Sequence, residues 1–153
     1  MVRLTVLDVA VDVPAGWAPT GHPTPTGTLV ARPERWPGTF VPVLAVSQSV
    51  PKGTLPLAGY ADRLTADTLL TLGGHLVHVG TGHRPYDHVD LTLATEAWGV
   101  DVTVTQRYVT TGAGRPAALA TAVVADADWS GLAAEMVAAV RSLRPVPHAG
   151  LGT

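Results

Sequence analysis

The sequence predicts an α+β fold built around an antiparallel sheet, and two observations support this prediction. Residues 86–125 alternate between apolar and polar side chains and contain two short turn signals, which is typical of three consecutive antiparallel strands. Residues 54–72 and 129–143 instead repeat apolar side chains at the spacing of amphipathic helices. Antiparallel strands that alternate along the chain with two such helices predict a layered α+β domain.

The three predicted strands differ in the faces that they bury. The first two carry apolar residues on one side only, namely Val89, Leu91 and Leu93, and Val102, Val104 and Tyr108. The third strand, residues 119–125, is apolar on both sides, as expected for a strand that is covered on both faces. Trp98-Gly99 and residues 111–114 provide the two hairpin turns.

The rest of the chain supplies further elements. Four more strands are predicted, at residues 4–13, 27–32, 40–49 and 75–80. The first helix is expected to follow Thr54, which can cap it, and to end at Gly73. The second helix is expected to follow Asp126 or Asp128 and to end before Pro145.

The composition limits the classes of function. The chain has 153 residues, a formal net charge of -2 and ten basic residues, which argues against a surface that binds nucleic acid. It has no cysteine, which excludes disulfides, thiolate metal sites and a cysteine nucleophile. No long apolar run predicts a signal peptide or a membrane span, so we expect a cytoplasmic location and no membrane contact. The length suits one domain, residues 1–145, followed by a flexible tail at 146–153.

Four histidines and two aspartates lie close together in the sequence: His75, His78, His83, His88, Asp87 and Asp90. Imidazole and carboxylate groups are good ligands for zinc and other divalent metals. Strict alternation along a strand places His75 and His78 on opposite faces, which argues against a shared site. Only His83, His88 and Asp90 could converge, across a turn. We therefore expect no metal site, and this region is the alternative location for a small ligand or an enzyme active site.

No catalytic constellation is recognisable. Nucleophilic catalysis needs a base within hydrogen-bond reach of the nucleophile, and none of the serines lies in a G-x-S-x-G context. The glycines at 80 and 82, and at 112 and 114, belong to hairpin-like turns rather than to a phosphate loop between a strand and a helix. The sequence therefore predicts a protein that is not an enzyme, with no catalytic residue and no cofactor.

The tryptophans provide the best candidates for partner binding. Trp17 and Trp129 stand at the ends of predicted elements and are expected in the core. Trp36 lies in a loop and Trp98 at a hairpin turn, where exposed rings serve as interface anchors unless they pack onto their own loops. Arg107 lies on the polar side of a predicted strand, a side that is more often solvated or covered by a helix. The candidate partner-binding residues are Arg32, Arg35, Trp36, Trp98 and Arg107.

Several stretches are characteristic of a known family. They are VDVPAGW at 11–17, FVPVLAVSQ at 40–48, PKGTLPLAGYADRL at 51–64, VTVTQRYV at 102–109 and DADWSGLAAEMVAAVRSLRP at 126–145. In this order, over nearly the whole chain, they resemble the LpqN-type lipoprotein family within the PsbP-like superfamily. The resemblance implies a central antiparallel β-sheet with one amphipathic helix on each face, a PsbP-like α/β/α sandwich. The lipobox cysteine and the leader of those lipoproteins have no counterpart in this sequence.

The resemblance also implies a class of function. Members of the superfamily are mostly binding and adaptor proteins, among them a photosystem subunit, a Ran-binding import factor and chaperone-adaptors that load toxins into type VI secretion machines. We therefore expect a non-catalytic protein-binding module, either an adaptor or chaperone associated with secretion or an immunity protein for a partner protein. A homodimer is compatible with this expectation. The alternative is a small-ligand-binding protein or enzyme that uses His83, His88 and Asp90.

Overall fold

The structure is a computed structural model that describes residues 1–22, 24, 27–50, 53–111 and 117–146. The helices in these ranges are α1 (Leu57–Leu72) and α2 (Asp126–Arg141). The strands, in chain order, are β1 (Val2–Val6), β2 (Val9–Val13), β3 (Trp17–Pro19), β4 (Thr28–Pro33), β5 (Val43–Ser49), β6 (His75–Gly82), β7 (Asp87–Ala97), β8 (Val100–Thr110), β9 (Ala117–Ala125) and β10 (Arg144–Pro145).

Seven of these strands form the central sheet, in the order β3-β4-β5-β9-β8-β7-β6. Every neighbouring pair in this sheet is antiparallel, so the predicted α+β class with an antiparallel sheet is confirmed. A smaller sheet has the order β1-β2-β10. Because β9 lies between β5 and β8 in the middle of the large sheet, its sequence is apolar on both sides.

Two apolar clusters form the core. The larger one combines Met136 and Val140 of α2 with buried residues of β2, β4, β5 and β9. The smaller one joins the apolar sides of β7 and β8 and consists of Leu91, Leu93, Val102 and Val104. Leu64 of α1 packs against it. The alternation read from the sequence therefore gives the sides of both strands that face this cluster, while the other side of β8 is buried as well, at Thr105, Arg107 and Val109. Val140 is buried, whereas Leu64 is only partly buried.

Polar contacts attach both helices to β8. Thr68 of α1 donates a hydrogen bond of 3.0 Å from Oγ1 to Oε1 of Gln106, and both residues are buried. At the start of α2, Oδ1 of Asp126 accepts a hydrogen bond of 2.7 Å from Oγ1 of Thr103. A buried polar group that loses its partner costs about 1–3 kcal/mol, so the Thr68–Gln106 pair favours one placement of α1 on the sheet.

Residues 4–13 form part of a hairpin rather than the single strand that the sequence predicts. β1 and β2 pair across a turn at Leu7 and Asp8, and Leu7 has a φ of +50°. The prediction was wrong because the turn contains neither glycine nor proline, which are the strongest turn signals, and the apolar pattern continues through it.

The chain after α2 returns to this hairpin. β10 pairs with β2, and the backbone N–H of Val146 donates a hydrogen bond of 2.7 Å to the carbonyl oxygen of Asp8. The remainder of the predicted tail, 147–153, lies outside the described residues, as does the 112–116 part of the second predicted hairpin turn.

The strand predicted at 40–49 begins later than expected, at Val43. Proline lacks the N–H that a ladder needs, and Pro42 precedes the first residue of the strand. Phe40 therefore does not share a strand face with Leu44. It packs against the smaller cluster, whereas Leu44 belongs to the larger one.

Both helices begin at residues other than those predicted. α1 begins at Leu57 without a side-chain cap, so Thr54 does not cap it. α2 begins at Asp126, with Ala125 in the cap position. Asp126 and Asp128 lie in the first turn, where their negative charge interacts favourably with the positive end of the helix dipole.

Candidate functional site

One end of the central sheet brings together three connections that are far apart in the sequence. The register pairs Ala31 with Leu44, His75 with Ala94 and Ala97 with Val100. Because all these strands are antiparallel, the loop 34–42, the end of α1 and the turn 98–99 lie at the same end of the sheet. We call this surface the Trp98 end, and its apolar members are Trp36, Phe40, Val41, Leu70, Leu72 and Trp98.

The end of α1 is attached to β7 at this place. Thr95 donates a hydrogen bond of 2.9 Å from Oγ1 to the carbonyl oxygen of Leu72. Gly73 and Gly74 follow with positive φ, and a Cβ atom at Gly74 would collide with the carbonyl oxygen of Ala94. The glycine pair therefore allows the chain to leave α1 and enter β6 in close contact with β7.

Trp98 is the most exposed large apolar residue of this surface, with 93% of its area accessible. It occupies the first position of the turn between β7 and β8 with a φ of +50°, and Gly99 follows with a φ of +76°. Turns with positive φ at both positions favour Asn-Gly, and a bulky residue at the first position is strained. The ring of Phe40 lies 6.3 Å from that of Trp98. A ring that is both strained and exposed indicates a role outside the core of the protein.

Other apolar side chains are exposed at the same end. Leu70, in the last turn of α1, is 86% exposed, and Leu72 and Val41 are about 40% exposed. Single exposed apolar residues are common on soluble proteins, but several at one end of a molecule mark an interaction site. These exposed residues make the Trp98 end the candidate docking surface of the described chain.

Trp36 differs from Trp98 in its environment. Its side chain is partly buried, and its Nε1 atom is buried without a hydrogen-bond partner among the described residues. The ring lies over Gly38, since a Cβ atom there would stand 2.7 Å from Nε1. Trp36 therefore packs onto its own loop, whereas its sequence neighbours Arg32 and Arg35 are exposed.

Arg107 is buried, with 8% of its area accessible. Its Nε and Nη2 atoms donate hydrogen bonds of 2.7 and 2.8 Å to the two carboxylate oxygens of Asp90. Its Nη1 atom also donates, at 3.4 Å, to the carbonyl oxygen of Arg141 at the end of α2. The guanidinium is thus used inside the protein, and Arg107 does not contribute to the Trp98 end.

The expectation that His75 and His78 point to opposite faces is wrong. A bulge between Leu76 and His78 shifts the register of β6, so that His75 pairs with Ala94 and His78 with Thr92. Ala94 and Thr92 are two residues apart in β7 and share a face, so the two histidines share that face as well. A bulge has no clear sequence signal here, which is why strict alternation failed.

The remaining histidines make separate contacts. His83 and Asp87 pair over 2.8 Å between Nδ1 and Oδ1, and both are exposed. His88 donates a hydrogen bond of 2.9 Å from Nδ1 to the carbonyl oxygen of Tyr86, which directs Nε2 towards Asp90 at 3.8 Å. In the described part of the chain, no three histidine or acidic residues are grouped so that they could hold a metal ion.

A cavity of about 540 Å³ lies between the start of α1 and the sheet. Its wall includes Ser47, Tyr60, Arg63, Tyr108 and Leu119. The rings of Tyr60 and Tyr108 lie 5.5 Å apart. Burial raises the pKa of Tyr108 above its ordinary value, and the charge of Tyr60, when ionised, raises it further. Sequence reasoning missed this cavity because its residues come from four separate elements.

The fold is that of the PsbP-like proteins, so the resemblance read from the sequence is confirmed at the level of the fold. LpqN of Mycobacterium tuberculosis, which is involved in cell envelope biogenesis, has a TM-score of 0.66 at 15% identity, over 91% of this chain and 83% of that one. Protein PA94 of Pseudomonas aeruginosa has a TM-score of 0.64 at 17% identity, over 96% and 98% of the two chains. The PsbP of Synechocystis sp. PCC 6803 (CyanoP) has a TM-score of 0.64 at 14% identity, over 90% and 86%.

Comparison of sequences adds no closer relative: no protein-family model matches the chain, and no curated protein is significantly similar to it. The similarity to the solved structures therefore describes the fold alone. No helix in the described ranges has the length and apolar character that crossing a membrane requires.

Proposed function

We propose that this protein is a non-catalytic protein-binding module and that its partner docks on the Trp98 end. The observation that carries the proposal is Trp98 itself. A 93% exposed indole occupies a turn position whose φ of +50° favours asparagine or glycine, so the residue costs folding energy and contributes little to the core. Tryptophan is among the residues that contribute most to binding when a partner covers them.

We also propose that the central sheet carries one helix on each face. Gln106 and Arg107 are neighbours in β8, so their side chains point to opposite faces. α1 contacts Gln106 through Thr68, and the end of α2 contacts Arg107. With a helix over each face, the sheet can meet a partner at the ends of its strands or at its edges, and the Trp98 end is one of these surfaces.

The partner chemistry that fits the Trp98 end is an apolar protein segment flanked by charge. Leu70, Leu72 and Trp98 offer apolar contact area. Arg35, next to Trp36 in the sequence, and Glu96, two residues before Trp98, are exposed and can bind polar groups at the rim. Binding of this kind is the task of an adaptor or chaperone associated with secretion, or of an immunity protein. The sequence resemblance to a superfamily whose members are mostly binding and adaptor proteins is the ground for this part of the proposal, and we propose that the protein acts in the cytoplasm.

Site-specific photocrosslinking in the native host tests this proposal. A photoreactive side chain at position 98 should capture a protein partner, whereas the same side chain at position 7 should not. Leu7 is a suitable control because it is exposed and also occupies a turn at positive φ. It lies beside Gly27, just before β4, at the end of the central sheet opposite the Trp98 end.

The identified partner is then titrated with two variants. Trp98→Asn should weaken binding by about 2 kcal/mol or more, the usual effect at a binding hot spot. Leu7→Asn should leave the affinity unchanged. Equal capture at positions 7 and 98, or full affinity of Trp98→Asn, would contradict the proposal.

The cavity beside Tyr60 and Tyr108 favours a second candidate function, the binding of a small ligand. Its volume of about 540 Å³ lies within the range of ligand sites, and its wall combines aromatic rings with hydroxyl groups. We place the small-ligand alternative at this cavity rather than at the region of His83, His88 and Asp90. Native mass spectrometry of protein purified from its host should then show a bound molecule that Tyr108→Ala loses. A protein of the bare chain mass would argue against it.

A further inference from the structure

β6 forms one edge of the central sheet, and apart from one bulge it lacks the usual features that protect an edge. It is eight residues long, and residues 75–82 contain no aspartate, glutamate, lysine, arginine or proline. None of the eight residues is buried, and its apolar side chains are unusually accessible: Leu76 38%, Val77 61% and Val79 39%. An edge strand presents unpaired N–H and C=O groups, and natural proteins usually shield such a strand with charge, proline or a very short length.

The opposite edge of the same sheet is protected. β3 has only three residues, and the last of them is Pro19. A short strand that ends in proline offers little for another strand to pair with. The contrast shows that this fold protects one edge and leaves the other open, with the bulge between Leu76 and His78 as the one irregularity in β6.

We infer that β6 is a dimer interface, in which it pairs antiparallel with β6 of a second copy about a two-fold axis. The absence of charged residues removes the repulsion that self-pairing would otherwise create, since like charges directly opposite each other are destabilising. It also gives the edge no charge with which to select a different partner strand.

The pattern of β6 after the bulge is suited to self-pairing. From His78 to Gly82 the register with β7 is regular, with Val79 and Thr81 on one face and His78 and Gly80 on the other. Residues that lie opposite each other in an antiparallel pair share a face. An axis beside Val79 places Val79 opposite its own copy and each His78 opposite the Gly80 of the other copy. In the structure the imidazole of His78 lies over Gly80 of its own strand, with Nε2 3.1 Å from where a Cβ atom would stand, so the ring must turn when the two strands pair.

The expected interface is small. Eight residues at about 3.3 Å each give an edge of about 26 Å. Together with the side chains on both faces this buries on the order of 1,000 Å², the lower limit for a specific interface. We therefore expect a reversible dimer whose population depends on protein concentration.

Sedimentation velocity of the full chain tests the inference. The wild type should shift from monomer to dimer as its concentration rises, and Val79→Lys should remain monomeric, because it places two like charges at the axis. Leu70→Lys is the matched control: Leu70 is 86% exposed but lies on α1, so this variant should dimerise like the wild type. Circular dichroism of each variant verifies that it is folded.

A second test does not rely on a variant that disrupts the interface. Because the chain has no cysteine, a single cysteine reports only on its own position. Val79→Cys should form a disulfide-linked dimer under mild oxidation, since residues paired across an antiparallel axis lie within disulfide range, whereas Leu70→Cys should not.

The outcomes distinguish this inference from the docking function. A dimer that Trp98→Asn retains and Val79→Lys loses shows that dimerisation uses β6 and does not require Trp98. A wild type that stays monomeric at every concentration overturns the inference, and so does a dimer that survives Val79→Lys. Larger concentration-dependent aggregates in place of a dimer would also overturn it. None of these results changes the test of the Trp98 end, which uses a different surface.

Discussion

Asp90 of β7 and Arg107 of β8 face each other directly and are joined by two hydrogen bonds of 2.7 and 2.8 Å. The carboxylate and the guanidinium are 21% and 10% exposed, so the pair is largely removed from water. The end of α2 adds a third contact through the carbonyl oxygen of Arg141. The pair therefore links the two strands to the helix that packs above them.

Removal of Asp90 should destabilise the protein more than removal of the whole pair. Asp90→Ala leaves the Arg107 charge buried without a partner, and we expect it to lower the free energy of unfolding by about 3 kcal/mol. The double variant Asp90→Ala with Arg107→Leu leaves no such charge and should lose less. Urea denaturation of both single variants and the double variant gives the comparison. A double variant that is less stable than Asp90→Ala would contradict this account.

The same pair shows how far the sequence predicts this structure. The sequence indicates a two-residue turn at Trp98-Gly99, and counting outward from that turn pairs Ala97 with Val100 and, seven residues further along each strand, Asp90 with Arg107. Local pattern and turn length therefore imply this contact, although Arg107 was placed among the partner-binding candidates instead. The same information was sufficient for the sides of β7 and β8 that face the smaller cluster, because alternation and a short turn fix the register of a hairpin.

Other features depend on events that leave no local signal. The bulge that brings His75 and His78 to one face, and the turn at Leu7, both interrupt a pattern that continues through them in the sequence. The Trp98 end could be predicted only in part. Exposure of Trp98 at a turn was one of two alternatives that the sequence left open. Its contact with Phe40 requires β9 to lie between β5 and β8, which is a matter of long-range strand order.

Replacement of Trp98 by asparagine should not destabilise the protein. Asparagine accepts positive φ more readily, and Asn-Gly is the favoured pair in this type of turn, so relief of strain should offset the lost contact with Phe40. We expect the free energy of unfolding to stay within about 1 kcal/mol of the wild type, or to rise. Trp17→Ala provides the contrast: Trp17 is 7% exposed and should lose about 3–5 kcal/mol. A large loss in Trp98→Asn would mean that the ring belongs to the core.

The two glycines after α1 should differ sharply in their tolerance of alanine. Both have positive φ, +69° at Gly73 and +79° at Gly74, so each alanine variant carries a backbone strain of about 1–3 kcal/mol. A Cβ atom at Gly73 meets nothing within 4 Å. At Gly74 it would collide with the carbonyl oxygen of Ala94 and stand 2.6 Å from Cβ of Thr95.

Gly74→Ala should therefore be clearly less stable than Gly73→Ala in thermal or urea unfolding. The collision involves the backbone of β7, which cannot move without disturbing the sheet. The difference in the free energy of unfolding between the two variants should therefore exceed the backbone strain that each of them carries. Equal stabilities would show that the chain between α1 and β6 can shift away from β7.

Tyr108 should make the stability of the protein sensitive to alkaline pH. Burial is the main cause of its raised pKa, and the neighbouring Tyr60 adds to it. In the unfolded chain a tyrosine ionises near its usual pKa of about 10. Above that pH the unfolded state releases a proton that the folded state still retains, so the free energy of unfolding falls as pH rises towards the raised pKa of Tyr108. Below pH 10 both states hold the proton, and the effect is absent.

Substitutions at the two tyrosines separate these causes. Tyr108→Phe removes the titrating group and should flatten the loss of stability above pH 10, as measured by urea denaturation at a series of alkaline pH values. Tyr60→Phe removes the smaller cause of the raised pKa and retains the burial of Tyr108. The loss of stability of this variant above pH 10 should therefore be larger than that of Tyr108→Phe and smaller than that of the wild type. If Tyr108→Phe lost stability above pH 10 as steeply as the wild type does, another group would be responsible, and the environment assigned to Tyr108 beside the cavity would be incorrect.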